Sequence, residues 1–379
     1  MKKRHLLAPG PTPVLPEALA AMARPIIYHR GPEYEALLAR VRDGLKFLFQ
    51  TKSEVLLFTS SGTGGMEAAV VNTLSPGDRV VVIRGGKFGE RWGEICEAYG
   101  IHPHYIDMEW GRAVDPDLVA AALRRDPSIR AVFATHSESS TGVLHDVEAI
   151  ARIVRTTPAI LVVDAITSVG VVDVPMDAWG LDVVVGGSQK SLMIPPGLAF
   201  CGVSDKAWAI VERARLPRYY FDFKTERKSI EKNQNAFTPA VSLIVGLHES
   251  LAAIRAEGLP AIFARLDRLA RATRAGVSAL GLELFAERPT PALTAITAPP
   301  GVEASAIVKT LRASHGITIA GGQGKVKGKI FRLAHLGYAD DSDVIVCLSA
   351  LERTLNDLGY PVKLGEGLRA AQEVLSQTG

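Results

Sequence analysis

Val183-Val184-Val185-Gly186-Gly187-Ser188-Gln189-Lys190-Ser191 is an apolar run that stops abruptly in a polar turn. Upstream, Ala159-Ile160-Leu161-Val162-Val163-Asp164 is a second apolar run, and it ends in an acid. Unbroken Val/Ile/Leu runs of this length mark strands buried on both faces, not the alternating pattern of a sheet with one wet side. Working outward, the same rhythm repeats. Strands are expected at Val55–Phe58, Arg79–Ile83, Ile101–Ile106, Ala131–Ala134 and Ala199–Val203. Helical patterns lie between them at Gly65–Leu74, Glu90–Tyr99, Asp115–Arg125 and Val147–Arg155. Strands alternating with helices predict an α/β fold, a mostly parallel sheet covered on both faces.

Beyond residue 240 the pattern changes. Long helical stretches, Val241–Ala256 and Ala261–Leu280, lead into short strands at Leu293–Thr297 and Lys329–Leu333. The expected division is an arm over residues 1–15, a large domain over 16–258 and a small α+β domain over 259–379. The arm carries Pro9-Gly10-Pro11-Thr12-Pro13 and reads as irregular, lying against the small domain or a neighbouring subunit.

Composition excludes several classes. Lys plus Arg number 43 and Asp plus Glu 40, a net charge of +3, so nothing draws the chain electrostatically to nucleic acid or membrane. No apolar run approaches the ~18 residues of a membrane span. Met1-Lys2-Lys3-Arg4-His5 is basic, but the apolar stretch after it breaks at Pro9, too soon for a signal peptide, and a cytoplasmic location is expected. Cys96, Cys201 and Cys347 make an odd count without CxxC spacing, against a disulfide framework or a zinc site.

Chemistry gathers at strand ends. An acid ending one strand and a lysine just past another are what pyridoxal phosphate requires. The lysine amine condenses with the aldehyde, and the carboxylate keeps the pyridine nitrogen protonated so that the ring accepts electrons. Asp164 and Lys190 are the candidates. Thr59-Ser60-Ser61-Gly62-Thr63-Gly64-Gly65 follows a strand and opens a helix, so the N–H groups at Ser61, Gly62 and Thr63 suit a phosphate, though Ser and Thr are also ordinary helix caps. Phe88, in Gly85-Gly86-Lys87-Phe88-Gly89, either stacks on a flat ring or packs in the core. Thr135-His136-Ser137-Glu138-Ser139-Ser140-Thr141-Gly142 is a polar turn at another strand end, where His136 is a base or a packing partner. Ser188 and Gln189 precede the lysine and are in reach of a phosphate or a ring oxygen. Arg332, flanked by Phe331 and Leu333, needs a partner for its buried charge. An amino-acid carboxylate fits its fork, and so does an internal acid.

These segments together resemble the class V aminotransferases of the fold type I pyridoxal-phosphate enzymes, most closely the alanine–glyoxylate and serine–pyruvate group. The resemblance runs from Leu7-Ala8-Pro9-Gly10-Pro11 to about residue 340. It rests on the turn 135–144, Val163-Asp164-Ala165, Gly187-Ser188-Gln189-Lys190 and Pro195-Pro196-Gly197. It implies a large domain built on a seven-stranded sheet. It also implies Lys190 as the cofactor's covalent partner, Asp164 on the ring nitrogen, and Ser61, Gly62 and Thr63 near the phosphate. Phe88 would stack on the ring, Ser139 and Gln189 would line its polar edge, and Arg332 would bind the substrate carboxylate. Thr238 matches the position from which a second subunit reaches the phosphate, implying a homodimer with shared sites.

Three positions depart from that group. Asn235 stands where an aromatic is common, Phe88 stands for Trp, and Tyr28-His29-Arg30 resembles the His-Arg pair of phosphoserine aminotransferases. The implied reaction is ping-pong transfer of an amino group from alanine or serine to glyoxylate or pyruvate. Aspartate with 2-oxoglutarate and a phosphoserine-type activity are the alternatives. A lyase, or a sensor that binds the cofactor without turnover, is further off. Desulfuration is disfavoured, because the loop Ala320–Lys327 has no cysteine and Gln189 replaces the expected His.

Overall fold

The computed structural model describes residues 3–377. Met1 and Lys2, at the start of the expected arm, and Thr378 and Gly379, at the end of the expected small domain, lie outside the described residues.

Seven strands form one sheet in the order Val55–Phe58, Ala199–Val203, Val183–Gly187, Ile160–Asp164, Ile129–Thr135, Arg79–Arg84, His104–Asp107. Only Ala199–Val203 runs against the others. Alternate residues of each strand feed two different cores. Val81, Val132, Leu161, Val163, Val184 and Phe200 pack with Leu38, Leu45 and Phe49 of the helix Pro32–Phe49 and with Ile150 of Val147–Val154. Val80, Val82, Phe133, Val162, Val185 and Cys201 pack with Met66 and Val70 of Gly62–Thr73 and with Trp92 of Lys87–Ala98. That is the period-two side-chain alternation of a strand with both faces buried, which is why these runs are apolar throughout. The fit is close. A Cβ at Gly186 would lie 2.9 Å from the Phe49 ring, so Gly186→Ala would press that ring out of its seat.

Shared direction has a consequence for the site. The carboxyl ends of Val55–Phe58, Arg79–Arg84, Ile129–Thr135, Ile160–Asp164 and Val183–Gly187 all open on one edge of the sheet. Crevices for ligands form outside such edges.

A second sheet has three antiparallel strands, Leu293–Thr297, Ile330–Ala334 and Ala320–Gly321, with Ile330–Ala334 in the middle. The helices Leu259–Ala279 and Ala304–Thr310 pack on it, and Asp341–Asp357 and Glu366–Leu375 pack against Leu259–Ala279. Gly258, at φ +84°, separates Val241–Glu257 from Leu259–Ala279.

Several boundaries differ from expectation. The edge strand starts at His104, not Ile101; Pro103 just before it has no N–H to give a ladder. The helices expected at Gly65 and Glu90 begin three residues earlier, at Gly62 and Lys87, because their first turns are glycine-rich and carry little helical periodicity. The arm is not irregular throughout. His5–Leu6 pairs in parallel with Ile317–Thr318, a two-residue strand too short to leave a pattern in sequence.

Candidate active site

Asp164 ends its strand beside Val185 of the next one. Its carboxylate is buried and accepts one hydrogen bond, from the N–H of Ile166 at 2.9 Å. Burial pushes its pKa up to about 7. The buried Glu138 charge pushes the same way, and Lys190 and Arg91 pull against it. Lys190 lies three residues past the end of the neighbouring strand. Burial brings its amine down to about 8, with Asp164 opposing that fall and Arg332 and Arg91 adding to it. The amine's one hydrogen-bond partner is the backbone carbonyl of Pro9. The fold therefore brings both Asp164 and Arg332 within electrostatic reach of Lys190.

Gly62 opens its helix next to this pair. Ser61 stands at the N-cap without a side-chain cap bond, and the first turn has no acid. The helix start thus offers N–H groups and a positive dipole end to an anion. Close packing fixes the turn. A Cβ on Gly62 would meet Ile166 at 2.5 Å, and one on Gly187 would come 3.6 Å from Gly62 Cα. Thr63 Oγ1 accepts from Arg91 Nη1 at 3.1 Å.

Phe88 is half-buried, not lost in the core, and the Arg91 guanidinium lies 4.7 Å from its ring centre. Its backbone is held by Glu138, whose Oε2 accepts from the N–H groups of Phe88 at 3.0 Å and Gly89 at 2.9 Å. Glu138 Oε1 accepts from Ser140 N and Oγ at 3.1 and 2.6 Å. Burial raises the Glu138 pKa and these four bonds oppose the rise. Sequence reading missed Glu138 and Arg91. An acid in the middle of an otherwise neutral polar turn was the available signal for the first.

Arg332 occupies the central strand of the small sheet, opposite Ala320 and Ala295. Among the described residues no acid pairs with it. Nε and Nη2 donate to the carbonyl of Gly321 at 3.1 and 2.6 Å, and Nη1 donates to the carbonyl of Ser139 at 2.6 Å. A guanidinium has five N–H groups, so one hydrogen on each terminal nitrogen is left over. Burial lowers its pKa to about 10, and it stays charged at neutral pH.

Gln189 Oε1 is buried with no hydrogen-bond partner. An orphaned acceptor, a singly bonded buried acid, a buried amine on one carbonyl and an uncapped helix start are all groups left short. Pyridoxal phosphate offers a match for three of the four: an aldehyde for the amine, a protonated ring nitrogen for the acid and a phosphate for the helix. The residues present fit the group.

Two further candidates play other parts: His136 N donates to Asp164 O at 2.9 Å, but its ring points into the packing. His136 is buried edge-on to Trp179, 5.9 Å between ring centres, and burial lowers its pKa to about 3, so it is a neutral packing partner. Thr238 is exposed, and among the described residues it makes no hydrogen bond to Lys190, Asp164 or Arg332. It follows a segment pinned by its own chain. Glu226 accepts from Asn235 Nδ2 at 2.8 Å and Ala236 N at 2.9 Å, and Asn235 Oδ1 accepts from Tyr34 at 2.5 Å. Arg30 Nη1 donates to Gln234 Oε1 and Asn235 O at 2.9 and 3.1 Å. Among the described residues no three His, Cys, Asp or Glu side chains are placed to hold a metal ion, and no helix is long and apolar enough to cross a membrane.

Residues 15–335 match the family model described as Aminotransferase class-V. A protein of Synechococcus sp. named "Soluble hydrogenase, small subunit" is 49% identical, over 99% of this chain and 99% of its own. The L-aspartate–glyoxylate aminotransferase of Paracoccus denitrificans is 41% identical, over 98% of this chain and 96% of its own. Among solved structures, the ureidoglycine–glyoxylate aminotransferase of Bacillus subtilis superposes with a TM-score of 0.95 at 30% identity. That match covers 100% of this chain and 99% of the other.

Proposed function

The chain belongs to the class V aminotransferases, pyridoxal-phosphate enzymes of fold type I, and from that premise we propose that it moves the amino group of a small L-amino acid, alanine or serine, to glyoxylate or pyruvate. The observation that carries this reading is Arg332. Its guanidinium keeps two hydrogens free, within electrostatic reach of the Lys190 amine. A 2-amino acid and a 2-oxo acid both present a carboxylate one bond from the reacting carbon, so one arginine serves both half-reactions.

When bound, pyridoxal phosphate supplies an aldehyde for the amines and a ring that takes up electrons. The chain's residues do the rest. Lys190 holds the cofactor between turnovers and, once released by the incoming amine, carries the substrate's α-proton on Nζ. A pKa near 8 leaves part of the amine neutral at physiological pH, as a base requires. Asp164 faces the ring nitrogen, where a cationic N–H would stabilise its charge and lower its raised pKa. Ser61, Gly62 and Thr63 take the phosphate, Phe88 covers the ring, and Ser139 and Gln189 line its polar edge. We place the cofactor site on residues 16–258 and the carboxylate site on 259–379. We also read the protein as a homodimer in which Thr238 reaches the phosphate of the partner's site. Its exposure, and the exposed Tyr219, Tyr220, Ile26 and Tyr28, support that reading.

One feature favours a short donor. Arg30, the residue suited to a second acid, is bonded within its own chain. Aspartate is the second reading, favoured by the name of the Paracoccus relative. The test is a half-reaction screen: each of twenty amino acids is mixed with the cofactor-loaded enzyme, and the absorbance change marks amino-group uptake. Alanine and serine should react fastest. Aspartate ahead of both would install the second reading, and no reaction with any amino acid would leave a binding protein.

A further inference from the structure

The arm runs from one sheet to the other and crosses the Lys190 amine on the way. At its outer end, His5 N and Leu7 N donate to the carbonyls of Gly316 and Thr318 at 3.0 and 2.8 Å, and Leu7 O accepts from Ala334 N at 2.9 Å. Ala334 is two residues from Arg332. At its inner end, Thr12 N donates to Gln189 O at 3.1 Å, Thr12 Oγ1 to Lys190 O at 2.8 Å, and Leu15 N to Met193 O at 2.9 Å. Between these anchors lie Pro9 and Gly10. The Pro9 carbonyl accepts from Lys190 Nζ. A Cβ at Gly10 would lie 2.3 Å from that nitrogen and 2.7 Å from Lys190 Cε.

We propose that the Pro9–Gly10 peptide is a positioning element for the reacting amine. The Pro9 oxygen holds Nζ whenever it is not covalently engaged, and residue 10 carries no side chain so that the amine keeps that place. The physical case has two parts. A lysine on its flexible four-carbon stem samples many rotamers, and a fixed acceptor narrows its search. The hydrogen given to Pro9 also turns the nitrogen lone pair away from the arm. Gly10 is held between two anchored segments, so any clash there displaces the lysine and not the arm. This inference rests on the reading of Lys190 as the reacting group.

Gly10 also has φ +151°, a conformation that favours glycine whatever its neighbours. A double-mutant cycle separates the two effects, because backbone strain is common to both backgrounds. Gly10→Ala is made in the full-length chain with Lys190 and with Lys190→Ala, and melting is measured without cofactor. The expected result is a clearly larger fall in melting temperature when Lys190 is present. In parallel, Gly10→Ala should still take up pyridoxal phosphate by equilibrium dialysis. It should lose borohydride trapping of it on Lys190, read as the mass of the Lys190 peptide. A general loss of folding would remove uptake and trapping together. Equal falls in both backgrounds, failure to fold in both, or trapping at the parent level would overturn the proposal. Turnover surviving in Lys190→Ala alone would instead overturn the assignment beneath it.

Discussion

The buried polar cluster around Glu226 and the one around Lys190 differ in how completely they are satisfied. Around Glu226, both carboxylate oxygens are bonded, Asn235 is bonded at both ends of its amide, and Arg30 closes the segment behind them. Around Lys190, Asp164 has one bond, the amine has one, Gln189 Oε1 has none and Arg332 keeps two hydrogens. Burial alone does not tell them apart: it raises Glu226 and Asp164 alike to about 7. The hydrogen-bond deficit does. A satisfied network holds a segment in place, while a cluster left short is waiting for something to complete it.

That contrast can be broken at either cluster. Lys190→Ala should have the largest effect: loss of the covalently bound cofactor's absorbance and of turnover by about a thousandfold or more, the scale of a missing acid–base group. Retention of both would remove the deficit's meaning. Asp164→Asn should lower kcat by at least about tenfold, since each 1.36 kcal/mol lost from the transition state is a factor of ten. It also has a pH signature in the cofactor-free chain. Asp164 holds its proton to about pH 7 when folded, against 3.8 for an ordinary aspartate. The folded state therefore binds more protons in that window, and the group's contribution to stability falls as pH rises through it. Melting curves should show Asp164→Asn gaining on the parent from about pH 4 to pH 7; a constant offset would contradict the raised pKa. Arg332→Lys keeps the charge and loses the fork. KM for the amino donor should rise about 10- to 100-fold, the worth of a charge-assisted hydrogen bond, with kcat changing less. Glu226→Gln should act on stability instead, costing about 1–3 kcal/mol in denaturant melts with kcat near the parent's. A large fall in kcat with unchanged melting would show that the satisfied cluster also serves the reaction.

Much of the fold could be read locally. The strands Ile160–Asp164, Val183–Gly187 and Ala199–Val203 announce themselves as apolar runs, because a strand buried on both faces has no room for polar residues. Asp164, Lys190 and the 61–63 turn stand out because a polar group at the end of such a run needs a reason. Arg332 was legible as a buried charge, but its partners were not. They are carbonyls of Ser139 and Gly321, and a backbone oxygen looks the same at every position of a sequence.

The chain's pattern of apolar runs and polar ends was enough to specify a mostly parallel sheet, the polar edge where its strands end and the acid and lysine upon it, because each is a matter of a few neighbouring residues. What sits over that edge was settled only by folding. Glu138 finds the Phe88 backbone 50 residues away, Ser139 finds Arg332 across 193, and Pro9 finds Lys190 across 181. Separations of that size leave no periodicity behind. They follow from how the arm, the large sheet and the small sheet are laid against one another, and that arrangement comes from the packing of whole elements.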